Sequence, residues 1–218
     1  MALDTEMRLN AIFASATDET VEDCERIFTV TMLTKQDVVY ELGDSAKSAF
    51  LIKRGRIRIV RPTPHGKEVT VAVLNSGSIF GEECLFGQQL RSTSAICMED
   101  SVLCVARAAD LGTLLLRYPQ LTLNVAKILS SRLRDASASL EDLAYSKVRV
   151  RLMHLLDRLA SEYGKRTSAG VVLDIRLTHS DLASLIGTTR ETVTIELSGL
   201  RRLGRVRQSG RLLILPVA

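Results

Sequence analysis

The sequence of 218 residues contains no tryptophan, and aromatic residues make up only 4% of it. Because apolar residues still account for 46%, a disordered chain is excluded and the core must be mainly aliphatic. No apolar run approaches the roughly 20 residues of a membrane-spanning helix, and the N-terminal segment lacks the basic flank of a signal peptide. We therefore expect a cytoplasmic protein that does not bind membranes.

Clustered metal ligands are also missing. The four cysteines, Cys24, Cys84, Cys97 and Cys104, show no C-x-x-C spacing, and the three histidines are scattered. A zinc or iron-sulfur site needs such clusters, so we expect no metal and four free thiols. Cys97 and Cys104 stand in the apolar stretches SAICM and SVLCVA, which predicts that they pack as small hydrophobic residues. The scattered histidines also disfavour an enzyme with a cupin-like metal site.

Acidic residues are scarce only in the last third of the chain. From Lys147 onward there are 13 lysines and arginines against 6 acidic residues, a net charge of +7, whereas the remainder has 16 against 19, a net charge of −3. A basic module attached to a mildly acidic one is typical of nucleic-acid-binding proteins, although charge alone does not separate DNA from RNA or from an anionic surface.

The distribution of apolar residues predicts an α+β protein with three parts. After a short helix around residues 18–28, residues 28–107 contain strand-length runs rich in valine and isoleucine and separated by turn residues, which is typical of a small β sandwich or barrel. Helical spacing begins at Leu111. The predicted parts are a β domain over residues 1–110, a long helix with a hinge over 111–146, and a basic helical domain over 147–218.

Apolar residues in the long helix follow a coiled-coil pattern. They are spaced alternately three and four residues apart, at Ala126, Leu129, Leu133, Ala136, Leu140 and Leu143. A seam as narrow as this favours pairing with a second copy of the chain, so we predict a homodimer. The alternative is that the seam packs on the β domain of the same chain.

Two capping-box patterns indicate consecutive helices in the basic domain. Thr178 can cap a helix together with Asp181, and Thr188 can do the same with Glu191. The second pattern predicts that Thr188 begins the helix in the stretch IGTTRETVTIELSGLRR.

The residues around these caps fit a helix-turn-helix. Ala183 is small enough for two helices to cross, Gly187 suits the tight turn, and Val193 can hold the second helix on the first. The stretch RVRQSGRLLIL predicts a two-stranded hairpin that turns at Ser209 and Gly210, which makes the module a winged helix-turn-helix. The alternative is a helical hairpin used for protein contacts, which the net charge of +7 disfavours.

A second group of polar residues lies in the stretch FGEECLFGQQLRSTSA. Glu82 beside a glycine offers a carboxylate to a ribose hydroxyl, while Arg91 and Ser92 offer a guanidinium and a hydroxyl to a phosphate. These are the groups that bind a cyclic nucleotide. Taken alone, the pattern also fits an ion pair on a surface loop.

These features resemble the transcription regulators related to the cyclic AMP receptor protein and the fumarate and nitrate reduction regulator. The resemblance covers nearly the whole chain, including LGDSAKSAFLIKRGRIRIV, the seam helix and LTHSDLASLIGTTRETV. It implies an effector-binding β-roll (a double-stranded β-helix of the cyclic-nucleotide-binding type), a dimerisation helix and a DNA-binding winged helix-turn-helix. It also implies a regulator without enzymatic activity, a homodimer on a palindromic site in double-stranded DNA, and RNA polymerase as a partner.

The resemblance further implies an effector bound between the roll and the long helix, for which we favour cyclic AMP. The matching positions are Gly81 and Glu82 for the ribose, Arg91 and Ser92 for the phosphate, and, on the long helix, Ser137 for the base.

The chain departs from the family at three pocket positions. Glu83 and Thr93 replace a usual apolar residue and alanine, and Ala136 replaces the threonine that contacts adenine. These departures leave open another effector, such as 2-oxoglutarate, or none. A further hypothesis is a cyclic-nucleotide-binding module that regulates a protein partner without DNA, which the helix-turn-helix spacing disfavours.

The base-reading positions of the family fall on Arg190, Glu191 and Thr192, and the first two would recognise a G·C step. The third usual reader, a basic residue, is Ile195 here. If Val193 faces the core, helical geometry turns Ile195 toward the DNA groove, where we predict contact with a thymine methyl group.

The remaining positions of the module carry two further predictions. Glu196 should be partly buried and should need a partner such as Arg201, Arg202 or the hydroxyl of a nearby threonine. Contacts to the DNA backbone are implied for His179, Ser180, Thr189 and Arg211.

Overall fold

The structure, a computed structural model, describes residues 12–13, 16–63, 68–210 and 212–216. They form two units, Met1–Leu133 and Arg134–Ala218, and the boundary lies inside the longest helix. Arg211 falls outside the described residues, so its contact with the DNA backbone stays a prediction.

The first unit contains two four-stranded antiparallel sheets. Its described strands are β1 (Thr29–Leu33), β2 (Val38–Tyr40), β3 (Ser48–Arg54), β4 (Ile57–Pro62), β5 (Glu68–Leu74), β6 (Ile79–Phe80), β7 (Ser94–Cys97) and β8 (Ser101–Arg107). One sheet has the strand order β1-β8-β3-β6 and the other β2-β7-β4-β5. This architecture confirms the predicted β-roll.

Strand β3 shows how the aliphatic runs build two cores. Successive side chains of a strand point to opposite faces of a sheet, so Leu51 and Ile52, both fully buried, enter different clusters. Leu51 packs in the cluster that contains Leu111 and Val125 from the helices. Ile52 packs in the cluster that contains Ile57 of the other sheet. The roll is therefore covered by helices on one side and filled between its sheets.

The cysteines are distributed over these cores. Cys97 and Cys104 have no exposed surface, which confirms their prediction as core residues, and Cys24 is equally buried while Cys84 is half-buried.

Within the described residues, no group of three or more histidine, cysteine or acidic side chains is arranged to hold a metal ion. None of the described helices combines the length and the apolar character needed to cross a membrane.

The first unit also supplies the helices α1 (Asp18–Ile27), a 3₁₀ helix (Glu82–Phe86), α2 (Ala108–Arg117) and the long α3 (Pro119–Tyr145), which continues into the second unit. Helix α1 agrees with the sequence prediction. Helix α2 begins at Ala108, three residues before the predicted onset at Leu111, because the chain leaves its extended conformation directly after Arg107.

The seam residues of α3 stay largely outside the core of the first unit. The helix packs on the roll through Leu121 and Val125, which are not seam residues, and the seam residue Leu129 is half-buried against the same cluster. Leu133, Leu140 and Leu143 are 69%, 67% and 47% exposed. Within the first unit, the seam therefore meets the β domain at Leu129, as in the alternative considered from the sequence, and leaves Leu133 exposed.

The second unit combines helices with a small sheet. Its remaining elements are α4 (Val148–Tyr163), β9 (Gly164–Thr167), β10 (Gly170–Leu173), α5 (His179–Leu185), α6 (Arg190–Arg202), β11 (Arg207–Ser209) and β12 (Leu212–Leu215). Strands β11 and β12 form the predicted hairpin, which turns at Gly210. Strand β12 also pairs with β10, and the sheet has the order β11-β12-β10-β9. The pairing of β12 with β10 was not predicted from the sequence.

Helices α5 and α6 form the predicted helix-turn-helix. Ala183 is buried where the helices pack together, and Val193 is completely buried on the inner face of α6. Gly187 has a backbone φ of +62°, which residues with a side chain rarely adopt. All three residues therefore have the places that the sequence predicted for them.

The cap of α5 is the one that the sequence predicted, whereas the cap of α6 is a different residue. Thr178 and Asp181 form the expected capping box, with the Asp181 N–H donating to the Thr178 hydroxyl at 3.1 Å. The prediction for Thr188 is wrong, because its N–H donates to a carbonyl of α5 at 3.0 Å and it belongs to the turn. Thr189 caps α6 instead and accepts from the Thr192 N–H at 3.2 Å.

Candidate functional site

Gly81 and Glu82 begin the 3₁₀ helix at the edge of the roll. Gly81 has a φ of +70°, and a Cβ atom there would lie 2.8 Å from Arg91 Nη1 and 3.0 Å from the Phe50 ring. Only glycine lets the backbone approach the guanidinium so closely. The predicted ribose and phosphate residues therefore meet at this point.

Arg91 is buried in the roll and is only 3% exposed. Its Nη1 donates to the Gly81 carbonyl at 3.0 Å and to the Glu83 carboxylate at 3.2 Å, and its Nη2 donates to the Ser48 carbonyl. The Tyr40 ring lies beneath the guanidinium, 4.3 Å from its central carbon. The buried Nε has no hydrogen-bond partner among the described residues. Arg91 is thus a buried cation whose charge is balanced by Glu83.

Tyr40 was not identified from the sequence, although the scarcity of aromatic residues makes their position informative. Its ring lies 5.7 Å from Phe50 and 6.1 Å from Phe80, centroid to centroid. Burial, and after it the charge of Glu83, raises the pKa of Tyr40 to about 12. A hydrogen bond joins Tyr40 to Thr93, one of the residues at which the chain departs from the family.

Glu82, the predicted ribose ligand, is linked to the long helix by Arg132. Arg132 Nη2 donates to the Ile79 carbonyl at 2.6 Å, and Nη1 lies 3.4 Å from the Glu82 carboxylate. Burial raises the pKa of Glu82, and a hydrogen bond with its own backbone and the charge of Arg132 partly offset that rise. No sequence signal singled out Arg132, because it lies 50 residues from Glu82.

The remaining predicted ligand residues are Ser92 and Ser137. Ser92 follows Arg91 on the surface of the roll and is exposed. Ser137 lies on α3 within the second unit. Contact of either residue with an effector stays a prediction.

The outer face of α6 carries the predicted base-reading residues. Val193 and Leu197 are completely buried on the inner face, whereas Arg190, Glu191 and Ile195 are exposed, Ile195 to 67%. Thr192 is half-buried, and its hydroxyl lies 3.0 Å from that of the cap residue Thr189. The helix therefore presents one cation, one carboxylate and one apolar side chain on a face that no described residue covers.

His179 and Ser180 begin α5 beside this face. His179 Nδ1 lies 2.8 Å from the Thr194 hydroxyl, which itself donates to the Arg190 carbonyl at 2.9 Å. The hydroxyl must therefore accept from Nδ1, which places a ring proton on Nδ1. Burial lowers the pKa of His179, and the cations Arg201 and Arg190 lower it further. Ser180 is exposed.

Glu196 has a partner, as predicted, but the partner is none of the residues that the sequence suggested. Its carboxylate accepts from Arg149 Nε of α4 at 2.6 Å, and not from Arg201, Arg202 or a threonine. A Cβ atom at Gly199 would lie 3.1 Å from Arg149 Nη2, so the glycine makes room for the arginine beside Glu196. The ion pair links α4 to α6 across 47 residues of sequence, and that separation is why local reasoning missed it.

Loss of this ion pair should weaken the second unit modestly. Glu196 is 21% and Arg149 is 50% exposed, so solvent screens the pair and we expect Glu196→Gln to lower the free energy of unfolding by about 0.5–1 kcal/mol. Urea denaturation of both single variants and of Arg149→Ala/Glu196→Gln measures the coupling. Strictly additive single effects would contradict the interaction.

Both domains of the chain are similar to known proteins. Residues 30–118 match the family model of the cyclic nucleotide-binding domain, and residues 150–218 match the Crp-like helix-turn-helix domain. The chain is 32% identical over 201 residues to the cyclic AMP receptor protein of Thermus thermophilus, which covers 92% of this chain and 90% of that relative. It is 31% identical over 193 residues to the anaerobic regulatory protein of Bacillus subtilis, with 87% and 81% covered.

A solved structure shows the same fold. The c-di-GMP responsive global regulator CLP of Xanthomonas campestris superposes with a TM-score of 0.80, over 93% of this chain and 100% of that chain, at 21% identity. The matches point to transcription regulators and not to enzymes. With a cyclic nucleotide-binding domain followed by a Crp-like helix-turn-helix, and with this identity over nearly its whole length, the chain belongs to the CRP/FNR family of DNA-binding transcription regulators.

Proposed function

We propose that the protein is a homodimer that recognises a palindromic site in double-stranded DNA under the control of a small effector, for which cyclic AMP is the first candidate. The observation that carries this proposal is the exposed face of α6, where Arg190, Glu191 and Ile195 stand opposite the buried Val193 and Leu197. Arginine can donate two hydrogen bonds to guanine and glutamate can accept from cytosine, so the helix has the groups needed to recognise a base sequence.

Dimerisation is supported by the exposed leucines of α3. Leu133 and Leu140 are seven residues apart and both more than 65% exposed, as expected for side chains that a parallel copy of the helix covers. Two copies of α6 would then contact successive major grooves of one palindrome. RNA polymerase as a further partner and a cytoplasmic location belong to the same proposal, since the regulator must act where the chromosome is transcribed.

The effector assignment is supported by the cluster at the edge of the roll. Gly81, Glu82 and Arg91 bring a carboxylate and a guanidinium together, and Ser92 and Ser137 are proposed to add hydroxyl groups. An effector that binds the roll more tightly in the DNA-binding conformation must also be bound more tightly when DNA is present. The alternatives, 2-oxoglutarate or no effector, are favoured by one observation, the pairing of Glu83 with Arg91.

Fluorescence anisotropy of a labelled palindromic duplex tests this function. The duplex is selected from a randomised pool and titrated with the full chain alone and with cyclic AMP, cyclic GMP or 2-oxoglutarate. We expect tighter binding with cyclic AMP. If no compound changes the affinity, the effector assignment is wrong and the DNA-binding assignment stands; if no duplex is selected, the DNA-binding assignment fails.

Ile195 should determine the base preference at one position of each half-site of the DNA. Its exposed side chain is expected to contact a thymine methyl group, whereas arginine at the same place would donate to guanine. Selection from the randomised pool with Ile195→Arg should therefore replace thymine by guanine at one position of each half-site. An unchanged preference would rule out this contact.

A further inference from the structure

Glu83 is the only acidic side chain within ion-pair distance of Arg91 in the described part of the chain. Its Oε1 lies 3.2 Å from Nη1, and only 2% of the arginine side chain is exposed against 24% of the glutamate. The arginine is therefore fixed, whereas the glutamate lies at the boundary with solvent. An ion pair of this kind can open from the glutamate side alone.

The carboxylate occupies one of the directions from which an anion can reach the guanidinium. The guanidinium has one edge at the Gly81 and Ser48 carbonyls and one face on the Tyr40 ring. A phosphate oxygen that binds Nη1 must consequently take the direction that Glu83 occupies. If Glu83 stayed in place, a cyclic phosphate and the Glu83 carboxylate would share one cation, because Glu82 is paired with Arg132.

We propose that Glu83 is a built-in counter-ion of Arg91 that lowers the affinity of the roll for cyclic phosphates, so that a cyclic nucleotide binds only when Glu83 leaves the guanidinium. This inference rests on the proposed effector site and adds the residue that determines its specificity. The carboxylate acts in two ways: it occupies the hydrogen-bonding position of the phosphate, and it cancels the positive charge that attracts the phosphate.

The charge balance predicts what removal of the carboxylate does. With Glu83, the pair has no net charge before the anion arrives; with glutamine, the buried Arg91 keeps an uncompensated positive charge that a monoanionic cyclic phosphate neutralises. An uncompensated buried charge destabilises the fold. The variant should therefore unfold at a lower temperature and should regain stability when an anion binds.

The experiment compares the full chain with Glu83→Gln and with Glu99→Gln. Glu99 is a matched control because it forms an ion pair of similar length, 3.1 Å, with Arg56 in the same unit. Isothermal titration calorimetry with cyclic AMP measures the affinity. We expect Glu83→Gln to bind at least about tenfold more tightly than the unchanged chain and Glu99→Gln to bind like the unchanged chain.

A second measurement does not depend on a nucleotide. Tm is determined in chloride and in inorganic phosphate at equal ionic strength. Phosphate should raise the Tm of Glu83→Gln and leave those of the other two chains nearly unchanged. If Glu83→Gln does not fold, Glu83→Asp replaces it, because a side chain shorter by one methylene withdraws the carboxylate from Nη1 and should give an intermediate gain in affinity.

The outcomes separate this inference from the effector assignment. Equal cyclic AMP affinities of the unchanged chain and Glu83→Gln would overturn the role of Glu83 and leave the effector site intact. If no chain binds a cyclic nucleotide, the effector assignment fails, and the phosphate measurement decides the inference. A phosphate effect on Glu83→Gln alone supports the counter-ion, whereas no difference among the three chains overturns it.

Discussion

The double variant Leu133→Lys/Leu140→Lys is expected to be a monomer at concentrations at which the unchanged chain is a dimer. Both leucines are more than 65% exposed on α3. Covering a leucine side chain contributes roughly 1.5–3 kcal/mol, and a dimer covers each of the two positions twice. Their loss should therefore cost at least about 6 kcal/mol, or on the order of 10⁴-fold in the dimer dissociation constant. Sedimentation equilibrium measures this constant.

A leucine outside the seam provides the control. Leu116 of α2 is 85% exposed, so Leu116→Lys makes the same chemical change on a surface that the proposed dimer does not use. We expect it to leave the dissociation constant within about twofold, a change well below the 1.4 kcal/mol of a tenfold effect. The monomeric double variant should also lose most of its affinity for the palindrome, since each half-site is then bound independently. A double variant that still sediments as a dimer would refute the seam as the interface.

Arg190→Ala should have the largest effect on DNA binding of any single substitution on α6. The side chain is exposed in the first turn of the helix, and a bidentate contact with guanine contributes about 1–3 kcal/mol. A dimer makes the contact in both half-sites, so affinity for the selected palindrome should fall on the order of 10²- to 10⁴-fold. Affinity for a random duplex should change little, because that binding depends on contacts with phosphates.

Arg166→Ala is the matched control for this loss of charge. Arg166 is exposed on β9, away from α6 in the sequence, and its removal lowers the charge of the chain by the same amount. Anisotropy titrations of both variants with selected and random duplexes separate base recognition from general attraction. If Arg190→Ala reduces the affinity for both duplexes equally, Arg190 contacts the backbone and not a base.

The contrast between the two α6 glutamates explains which parts of the site were accessible to sequence reasoning. The resemblance to the family placed Glu191 among the base-reading residues, and its side chain is exposed. Glu196 was correctly predicted to be partly buried, but its partner was wrong because Arg149 comes from another helix, far away in the sequence. Helical geometry determines the face on which a residue lies, but the packing of helices determines what that face meets.

The cap of α6 also depends on how neighbouring elements fold, although the residues involved are close in the sequence. Thr188 and Thr189 are adjacent threonines, and either hydroxyl can cap a helix, although only Thr188 has an acidic residue three positions later. The choice depends on how the turn after α5 closes. In the structure the Thr188 N–H completes that turn by donating to the Ala183 carbonyl, so the next threonine caps α6.

By itself the sequence determined a β domain of the sandwich or barrel type, which the resemblance narrowed to a β-roll, and also the seam of the long helix, the helix-turn-helix with its hairpin, and the outward direction of Ile195 on the second helix. These follow from periodicity, from turn-forming residues and from charge, which act between near neighbours and need no knowledge of the fold. Only the tertiary structure decided the partners of the charged side chains. The pairing of Arg91 with Glu83, of Glu82 with Arg132 and of Glu196 with Arg149 arises from the way folded elements bring groups together, because an ion pair depends on distance in space and not on spacing along the chain.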